Sequence, residues 1–179
     1  MEKHFWFDDS FFERPSIEVA PDLLGSQLCF WDRRGVIRKL TISETEAYHG
    51  SDDLASHASK GRTLRNSLMF GPANHWYLYI CYGVHWMLNL VTGPIDQPSA
   101  VFFRGTLEVS GPGKLTKSMG VNKQFNGLMN SPVSKLWLEK PVAIPKEIQR
   151  GPRIGVDSAG PIWSKKPYRF WFSNGPTLG

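Results

Sequence analysis

The sequence predicts an α+β protein that forms a single domain, residues 1–179, on a mostly antiparallel β-sheet. Segments rich in β-branched and aromatic residues outnumber those with helical spacing, and their connections are too short for a series of βαβ units. A chain of 179 residues is also long enough for one domain to bury its own core. We therefore expect one sheet with peripheral helices.

The first elements are a helical turn and a strand. In SIEVAPDLLGSQLCFW, the spacing predicts a helical turn around residues 20–24, which Gly25 ends. The strand that follows runs through Leu28, Phe30 and Trp31.

The stretch GVIRKLTISETEAY predicts the second strand. Its alternating positions, expected on one parity, are Val36, Leu40, Ile42, Glu44, Glu46 and Tyr48. This pattern places Glu46 at the end of a strand, where a carboxylate can be held rigidly at the edge of a cleft.

The stretch WYLYICYGVHWMLNLV predicts a protruding β-hairpin whose turn includes Tyr82 and Gly83. SAVFFRG predicts a further strand, and so do RIGVD and PYRFWF nearer the end of the chain. GPGKLTKSMGVNKQF predicts a helix that begins at residues 111–113, with free backbone amides and Lys114 at its N-terminus.

The composition favours a polyanionic partner without identifying one. The formal net charge is +5 and the estimated pI is 9.3, with the basic residues in clusters. Cys29 and Cys81 lie in apolar, strand-like settings and are typical of buried thiols in a reducing compartment. Neither a signal peptide nor a membrane-spanning apolar run is evident, so we expect a cytoplasmic, nucleoid-associated protein without membrane contact.

The stretch ETEAYHGSDDLASHASKGRTLRN combines acidic, aromatic and imidazole side chains with arginines. One interpretation makes Glu46 a general base and places Tyr48 and His57 around a flat substrate. The alternative is an exposed strand face on which Glu44 and Glu46 pair with lysines while His57 caps a helix.

Two other interpretations of the motifs are weaker. His49, Asp52, Asp53 and His57 match no established metal-ligand spacing, so we expect neither a metal nor a cofactor. GPGKLTKS lacks the first glycine and the hydroxyl residue of a nucleotide-triphosphate loop. The start of its helix either contacts a backbone phosphate or is simply capped.

Tyr82 is difficult to explain as a structural residue, because an aromatic side chain at a tight turn has few neighbours. Proteins that unstack duplex bases insert side chains of this kind into the gap. The alternative is that Tyr82 folds back on the sheet.

The motifs together resemble those of the bacterial branch of the alkyladenine, or 3-methyladenine, DNA glycosylase family. The resemblance rests on E-T-E-A-Y, D-x-A-S-H, R-T-x-R-N and Y-x-Y-x-x-Y-G-x-x-x-x-x-N, followed by VFFRG, GPGKL, RGPRIGVDSAG and KPYRFW in the same order. It covers nearly the whole chain and implies a compact α+β domain with a curved antiparallel sheet.

The resemblance also implies roles for individual residues. Glu46 matches the acid that deprotonates the attacking water, and Arg104 and the carbonyl of Ile154 match groups that position this water. Tyr48, His57 and Tyr79 match the residues that enclose the flipped base. A further pocket residue is Asn89, whose amide would crowd the exocyclic amine of normal guanine.

DNA contacts follow from the same resemblance. Tyr82 matches the side chain that fills the gap in the duplex, and its neighbours Val84 and His85 are expected beside it. The positions expected at the DNA backbone are Arg62, Arg65 and Lys114.

This sequence departs from the family pattern at three positions. Asn74 replaces a common glycine before His75, and Val84 replaces a common methionine beside Tyr82. Leu64 replaces a frequent proline in R-T-x-R-N. These departures affect the DNA wedge and the stiffness of a loop, and leave the chemistry intact.

The expected activity is that of a monomeric DNA glycosylase that flips alkylated purines out of duplex DNA. 3-Methyladenine is the first expected substrate, and 7-methylguanine, hypoxanthine and ethenoadenine depend on details of the pocket. Because no lysine lies in the catalytic motifs, we expect hydrolysis without strand cleavage. The alternative is a protein that binds damaged DNA without turnover.

Overall fold

Eight β-strands form the sheet in the computed structural model, which describes residues 5–172. Their bounds are β1 Gln27–Trp31, β2 Ile37–His49, β3 Trp76–Cys81, β4 His85–Val91, β5 Ser99–Thr106, β6 Leu136–Glu139, β7 Gln149–Gly151 and β8 Arg169–Trp171. Six strands follow the order β3-β4-β5-β2-β1-β6, and β8 pairs with both β2 and β7. Every strand pair is antiparallel, which confirms the predicted fold class.

The helices of the described residues are short and lie around this sheet. The α-helices are α1 Asp9–Phe12, α2 Ser16–Asp22, α3 Pro112–Met119 and α4 Gly160–Trp163. The 3₁₀ turns are His57–Lys60, Ser67–Phe70, Lys123–Phe125, Pro132–Ser134 and Asp157–Ala159. None of the helices within residues 5–172 is long and apolar enough to cross a membrane.

Helix α2 begins and ends earlier than the helical turn that the sequence predicts around residues 20–24. It starts directly after Pro15, because a proline is tolerated at the start of a helix. The helix buries Val19 and Ala20. The chain then turns at Gly25, where φ is 84° and a Cβ would lie 2.8 Å from the carbonyl oxygen of Ala143.

One face of the sheet carries the main apolar core. Alternate residues of β3, β4 and β5 point into this core, including Trp76, Leu88 and Phe103, and helices α1, α2 and α3 cover it. The indole of Trp76 donates a hydrogen bond to the carbonyl of Leu136 at 3.0 Å. The opposite residues of the same strands are therefore free to form a second surface.

The central strand β2 changes parity near its middle. Ile42 and Ala47 both lie in the core, and the hydroxyl of Thr45 donates to the carbonyl of Ala20 at 2.8 Å. The shared parity predicted for Ile42 and Glu46 is therefore wrong. Two irregularities in the β2–β5 register around Glu44 explain this change of parity. A β-bulge turns the side chains that follow it to the opposite face of the strand.

The predicted strand at RIGVD is also wrong. Strand β7 ends at Gly151, and the chain then bends through residues 153–157. Tertiary contacts explain the bend, because the Arg153 side chain is buried, the amide of Ile154 bonds to Glu46, and Gly155 has a φ of 74°. The hairpin, the strand at SAVFFRG, the strand at PYRFWF and helix α3 all lie where the sequence predicts them.

Candidate active site

A cavity of about 320 Å³ opens on the sheet face opposite the main core. Its walls come from alternate residues of β2, β3, β4 and β5, the 3₁₀ turn at His57, and the bend after β7. Seven residues expected in the site line it, namely Tyr48, His57, Tyr79, Tyr82, Asn89, Arg104 and Ile154. Strand alternation places Tyr48, Tyr79, Asn89 and Arg104 on this face of the sheet. His57, Tyr82 and Ile154 reach the cavity from turns and from the bend after β7.

Glu46 lies beneath the wall of this cavity and is fully buried. Its Oε2 accepts a hydrogen bond from the Tyr48 hydroxyl at 3.0 Å, and its Oε1 accepts one from the amide of Ile154 at 2.8 Å. Burial raises the pKa of Glu46, and Arg104, the Ile154 amide and Tyr48 oppose the rise. The interpretation of Glu46 as an exposed residue paired with a lysine is therefore wrong.

Arg104 connects Glu46 to a second carboxylate. Its Nη1 lies 3.5 Å from Glu46 Oε1, and its Nε donates to Glu44 Oε1 at 3.0 Å. The same oxygen of Glu44 accepts a 2.7 Å hydrogen bond from Nε of Arg169. Two cations and two carboxylates therefore alternate along one edge of the site.

A cluster of three rings, those of His57, Tyr77 and Tyr79, lines another part of the cavity. Nδ1 of His57 lies 3.0 Å from the hydroxyl of Tyr77, and the His57 ring is 4.4 Å from that of Tyr79 in an edge-to-face arrangement. Burial and the nearby Arg65 lower the pKa of His57, which favours the neutral imidazole. Burial also raises the pKa of Tyr77 to about 12.

Asn89 is buried on β4, directly opposite Tyr77 on β3. Its side-chain nitrogen donates to the carbonyls of Tyr77 and Met87 at 3.2 and 3.3 Å. These bonds fix the amide plane at the wall of the cavity.

A buried ion pair supports the site from behind. Arg153 makes two hydrogen bonds to the carboxylate of Asp53, at 2.5 and 2.7 Å, and donates to the carbonyl of Ala47 at 2.8 Å. The Arg153 guanidinium lies 4.7 Å from the ring centroid of Tyr48. Arg153 thus lies behind the Tyr48 ring that lines the cavity. It is also the residue immediately before Ile154 in the chain.

The tip of the β3–β4 hairpin stands in solvent. Tyr82 is 92% exposed and Val84 is 71% exposed, so the interpretation that Tyr82 folds back on the sheet is wrong. His85 is exposed as well, but its ring packs on the backbone of Gly113, where a Cβ would lie 2.9 Å from Cγ of His85. The hairpin base therefore rests on the first turn of α3.

The basic residues expected at DNA occupy different positions around the cavity. Arg62 lies 3.3 Å from the carboxylate of Asp96, whereas Arg65 donates to the carbonyl of Ile80 at 3.2 Å and lies beside the hairpin. Lys114 is exposed in the first turn of α3.

Residues 5–172 contain no group of three or more side chains placed to hold a metal ion. Two of the residues considered as metal ligands from the sequence contact other groups. Asp53 pairs with Arg153, and Nδ1 of His49 lies 3.4 Å from the Ser99 hydroxyl.

Sequence reasoning missed several residues of the site. Those lining the cavity include Met69, Tyr77, Met87 and Phe102, and those behind it are Asp53 and Arg153. Tyr77 and Met87 have the parity of Tyr79 and Asn89, so strand alternation alone was sufficient to find them. No local signal pairs Asp53 with Arg153, because these residues are 100 positions apart.

A model of the family described as Methylpurine-DNA glycosylase (MPG) matches residues 10–109 and 107–176 of this chain. The chain therefore belongs to this family of DNA glycosylases, which are DNA-repair enzymes that act by excision of damaged bases.

Individual relatives agree with the family match. A protein of Myxococcus xanthus is 41% identical in a match that covers 97% of this chain and 96% of the relative. Proteins of Methanocella arvoryzae and Psychrobacter cryohalolentis are 40% and 36% identical, covering 94% and 88% of this chain and 92% of each relative. All three are named "Putative 3-methyladenine DNA glycosylase".

Proposed function

We propose that this protein excises 3-methyladenine from duplex DNA by hydrolysis, with Glu46 as the general base. The observation that carries the proposal is the position of a fully buried carboxylate directly behind an aromatic cavity, held by Tyr48, Ile154 and Arg104. A carboxylate whose pKa is raised by burial is better matched to proton abstraction near neutral pH than an exposed one.

The reaction requires the damaged nucleotide to leave the duplex. Tyr48, His57 and Tyr79 offer rings against which a flipped purine can stack, and a purine alkylated at a ring nitrogen gains from the attraction of its positive charge to these rings. The exposed Tyr82 fills the gap left in the helix, with Val84 and His85 beside it. The residues that contact the phosphates are Arg62, Arg65 and Lys114.

Bond cleavage passes through a state with oxocarbenium character. The N-glycosidic bond breaks, the base leaves with the bonding electrons, and water adds its oxygen to the anomeric carbon while Glu46 takes its proton. Arg104 and the carbonyl of Ile154 orient this water. No lysine is among the residues that line the cavity in the described part of the chain, which supports hydrolysis without a Schiff base and without strand cleavage.

The breadth of substrates depends on the cavity wall. We propose that Asn89, held by two backbone carbonyls, meets the exocyclic amine of normal guanine and excludes it. 7-Methylguanine, hypoxanthine and ethenoadenine are the further substrates to compare. The protein acts on the duplex as a monomer and without a cofactor.

The test is release of free base from methylated duplex DNA by the wild-type protein and by Glu46→Gln. This change keeps the shape of the side chain but removes the base, so the rate should fall about a hundredfold or more. Alkali treatment should be needed to convert the product into strand breaks. Melting temperatures of both proteins control for folding.

Other results would contradict the proposal in specific ways. Near-normal release by Glu46→Gln would reject Glu46 as the base, and strand breaks without alkali would reject the hydrolytic mechanism. Binding of methylated DNA without release by the wild-type protein would favour a damage-binding protein.

A further inference from the structure

Glu44 lies two residues before the proposed general base and does not line the cavity. Glu44 has the same strand parity as Glu46, and both carboxylates contact Arg104. Arg169 of β8 lies beside Glu44. Glu44 Oε1 accepts from Arg169 at 2.7 Å and from Arg104 at 3.0 Å. The order of charges is therefore Arg169, Glu44, Arg104, Glu46.

The two carboxylates hold Arg104 unequally. Glu44 binds its Nε at 3.0 Å, whereas the contact from Nη1 to Glu46 Oε1 is 3.5 Å. The contact with Glu44 has hydrogen-bond geometry, whereas the contact with Glu46 is a longer ion pair. Glu44 thus has the closer contact, and Arg104 faces Glu46 without closing onto it.

We propose that Glu44 is a positioning residue that holds Arg104 back from Glu46, leaving the Glu46 carboxylate free to accept a proton from water. The proposal rests on the function proposed above and adds the role of a residue that touches neither the base nor the water.

Arg169 keeps Glu44 in place. Its guanidinium lies 4.5 Å from the ring centroid of Trp171, and its Nε contacts the same Glu44 oxygen as Arg104. The side chains of Arg104 and Arg169 are 14% and 26% exposed, so both cations keep some contact with solvent when the Glu44 charge is removed. This makes the position suitable for substitution.

Loss of the Glu44 charge releases Nε of Arg104. The guanidinium then moves toward Glu46, where two parallel hydrogen bonds to one carboxylate become available. A closed pair occupies the oxygens needed for proton abstraction and favours the charged form of Glu46. The rate should fall, and the acidic limb of the pH profile should shift to lower pH.

The experiment compares single-turnover excision of 3-methyladenine by the wild-type protein, Glu44→Gln and Glu44→Asp. Both variants should lose about ten- to a hundredfold in rate, because small misplacements of catalytic groups have effects of this size. Affinity for methylated duplex should stay within about twofold, since Glu44 lies outside the cavity. The acidic limb should shift downward in both variants, and further in Glu44→Gln, which also removes a negative charge near Glu46. Glu44→Asp keeps the charge but is too short to reach Nε of Arg104.

Glu18→Gln is the matched control, because it removes an equal charge from an exposed position on α2. Full activity of Glu44→Asp would show that charge alone matters and would overturn the positioning role. An unmoved acidic limb in Glu44→Gln, or unfolding of both Glu44 variants, would overturn it as well. If the wild-type protein releases no base, the proposed function itself fails. This outcome differs from every outcome that concerns only the Glu44 variants.

Discussion

At the scale of the residue, Glu46 combines full burial with three stabilising neighbours. Burial is the largest influence on its pKa and raises it, while Arg104 is the largest opposing influence. The ionised form therefore depends on a nearby cation rather than on solvent. Under the proposed mechanism, this dependence links the pH profile of the reaction chiefly to Arg104.

The pH dependence tests this link through Arg104→Gln. A general base must be deprotonated, so activity is lost as pH falls through its pKa. Removing the cation that lowers the pKa of Glu46 should move the acidic limb to higher pH and reduce the plateau rate about a hundredfold. Arg104→Lys keeps the charge and should shift the limb less. A limb that stays in place, measured as single-turnover rate against pH, would separate Arg104 from the ionisation of Glu46.

Asn74 adopts a backbone conformation that favours glycine. Its φ is 65°, a conformation that glycine adopts freely and asparagine tolerates better than most residues. The side chain donates to Asp9 and accepts from Asn130, both at 2.8 Å. Asparagine is thus accommodated at this positive φ and makes two side-chain hydrogen bonds.

At the scale of the element, the β3–β4 hairpin ends in a turn with unusual backbone angles. Tyr82 and Gly83 have φ values of 52° and 69°, and the amide of Val84 donates to the carbonyl of Cys81. Two central residues with positive φ are typical of a type I′ turn. Glycine suits this conformation, whereas tyrosine is strained in it.

Strain at Tyr82 predicts opposite effects on stability and activity. Tyr82→Asn should raise the free energy of unfolding by about 1 kcal/mol, because asparagine tolerates positive φ. Excision from duplex DNA should fall about tenfold, equal to about 1.4 kcal/mol in the barrier, because the gap in the helix is no longer filled. The measurements are chemical denaturation and excision from matched duplex and single-stranded substrates.

The substrate pair and a neighbouring variant make this prediction specific. The loss should be confined to the duplex, where a base must be unstacked. Val84→Ala changes a neighbour that is also exposed but has no positive φ, and it should leave stability unchanged. Equal losses on both substrates would contradict a wedge role for Tyr82.

Local patterns predicted the elements better than their junctions. The hairpin was predictable because aromatic and β-branched residues flank Tyr82-Gly83, and α3 because Gly111-Pro112-Gly113 precedes a helical spacing. The parity of β2 and the bend at 153–157 were not predictable, because each depends on a partner from a distant segment. Glu46 was therefore found on its strand, and its partners Tyr48, Arg104 and Ile154 were found only through the family resemblance. The Asp53–Arg153 pair behind them was not found.

At the scale of the whole molecule, the Asp53–Arg153 pair joins two distant segments behind the cavity. Asp53 also accepts from the amides of His49 and Ala55, and Arg153 adds bonds to the carbonyls of Ala47 and Trp163. The end of β2, the turn after it and the bend after β7 are thereby fixed relative to one another. The Ile154 amide that contacts Glu46 depends on this fixed geometry.

Breaking the pair should affect stability and activity separately. Asp53→Asn leaves the buried Arg153 without its counter-charge and should lower the free energy of unfolding by about 3–5 kcal/mol. Replacing both residues by Leu and Met removes the two charges together and should recover most of that loss. Excision by the double variant, measured where it is fully folded, should stay at least about tenfold below wild type, because Ile154 is no longer anchored. Wild-type activity in the double variant would show that the pair serves folding alone.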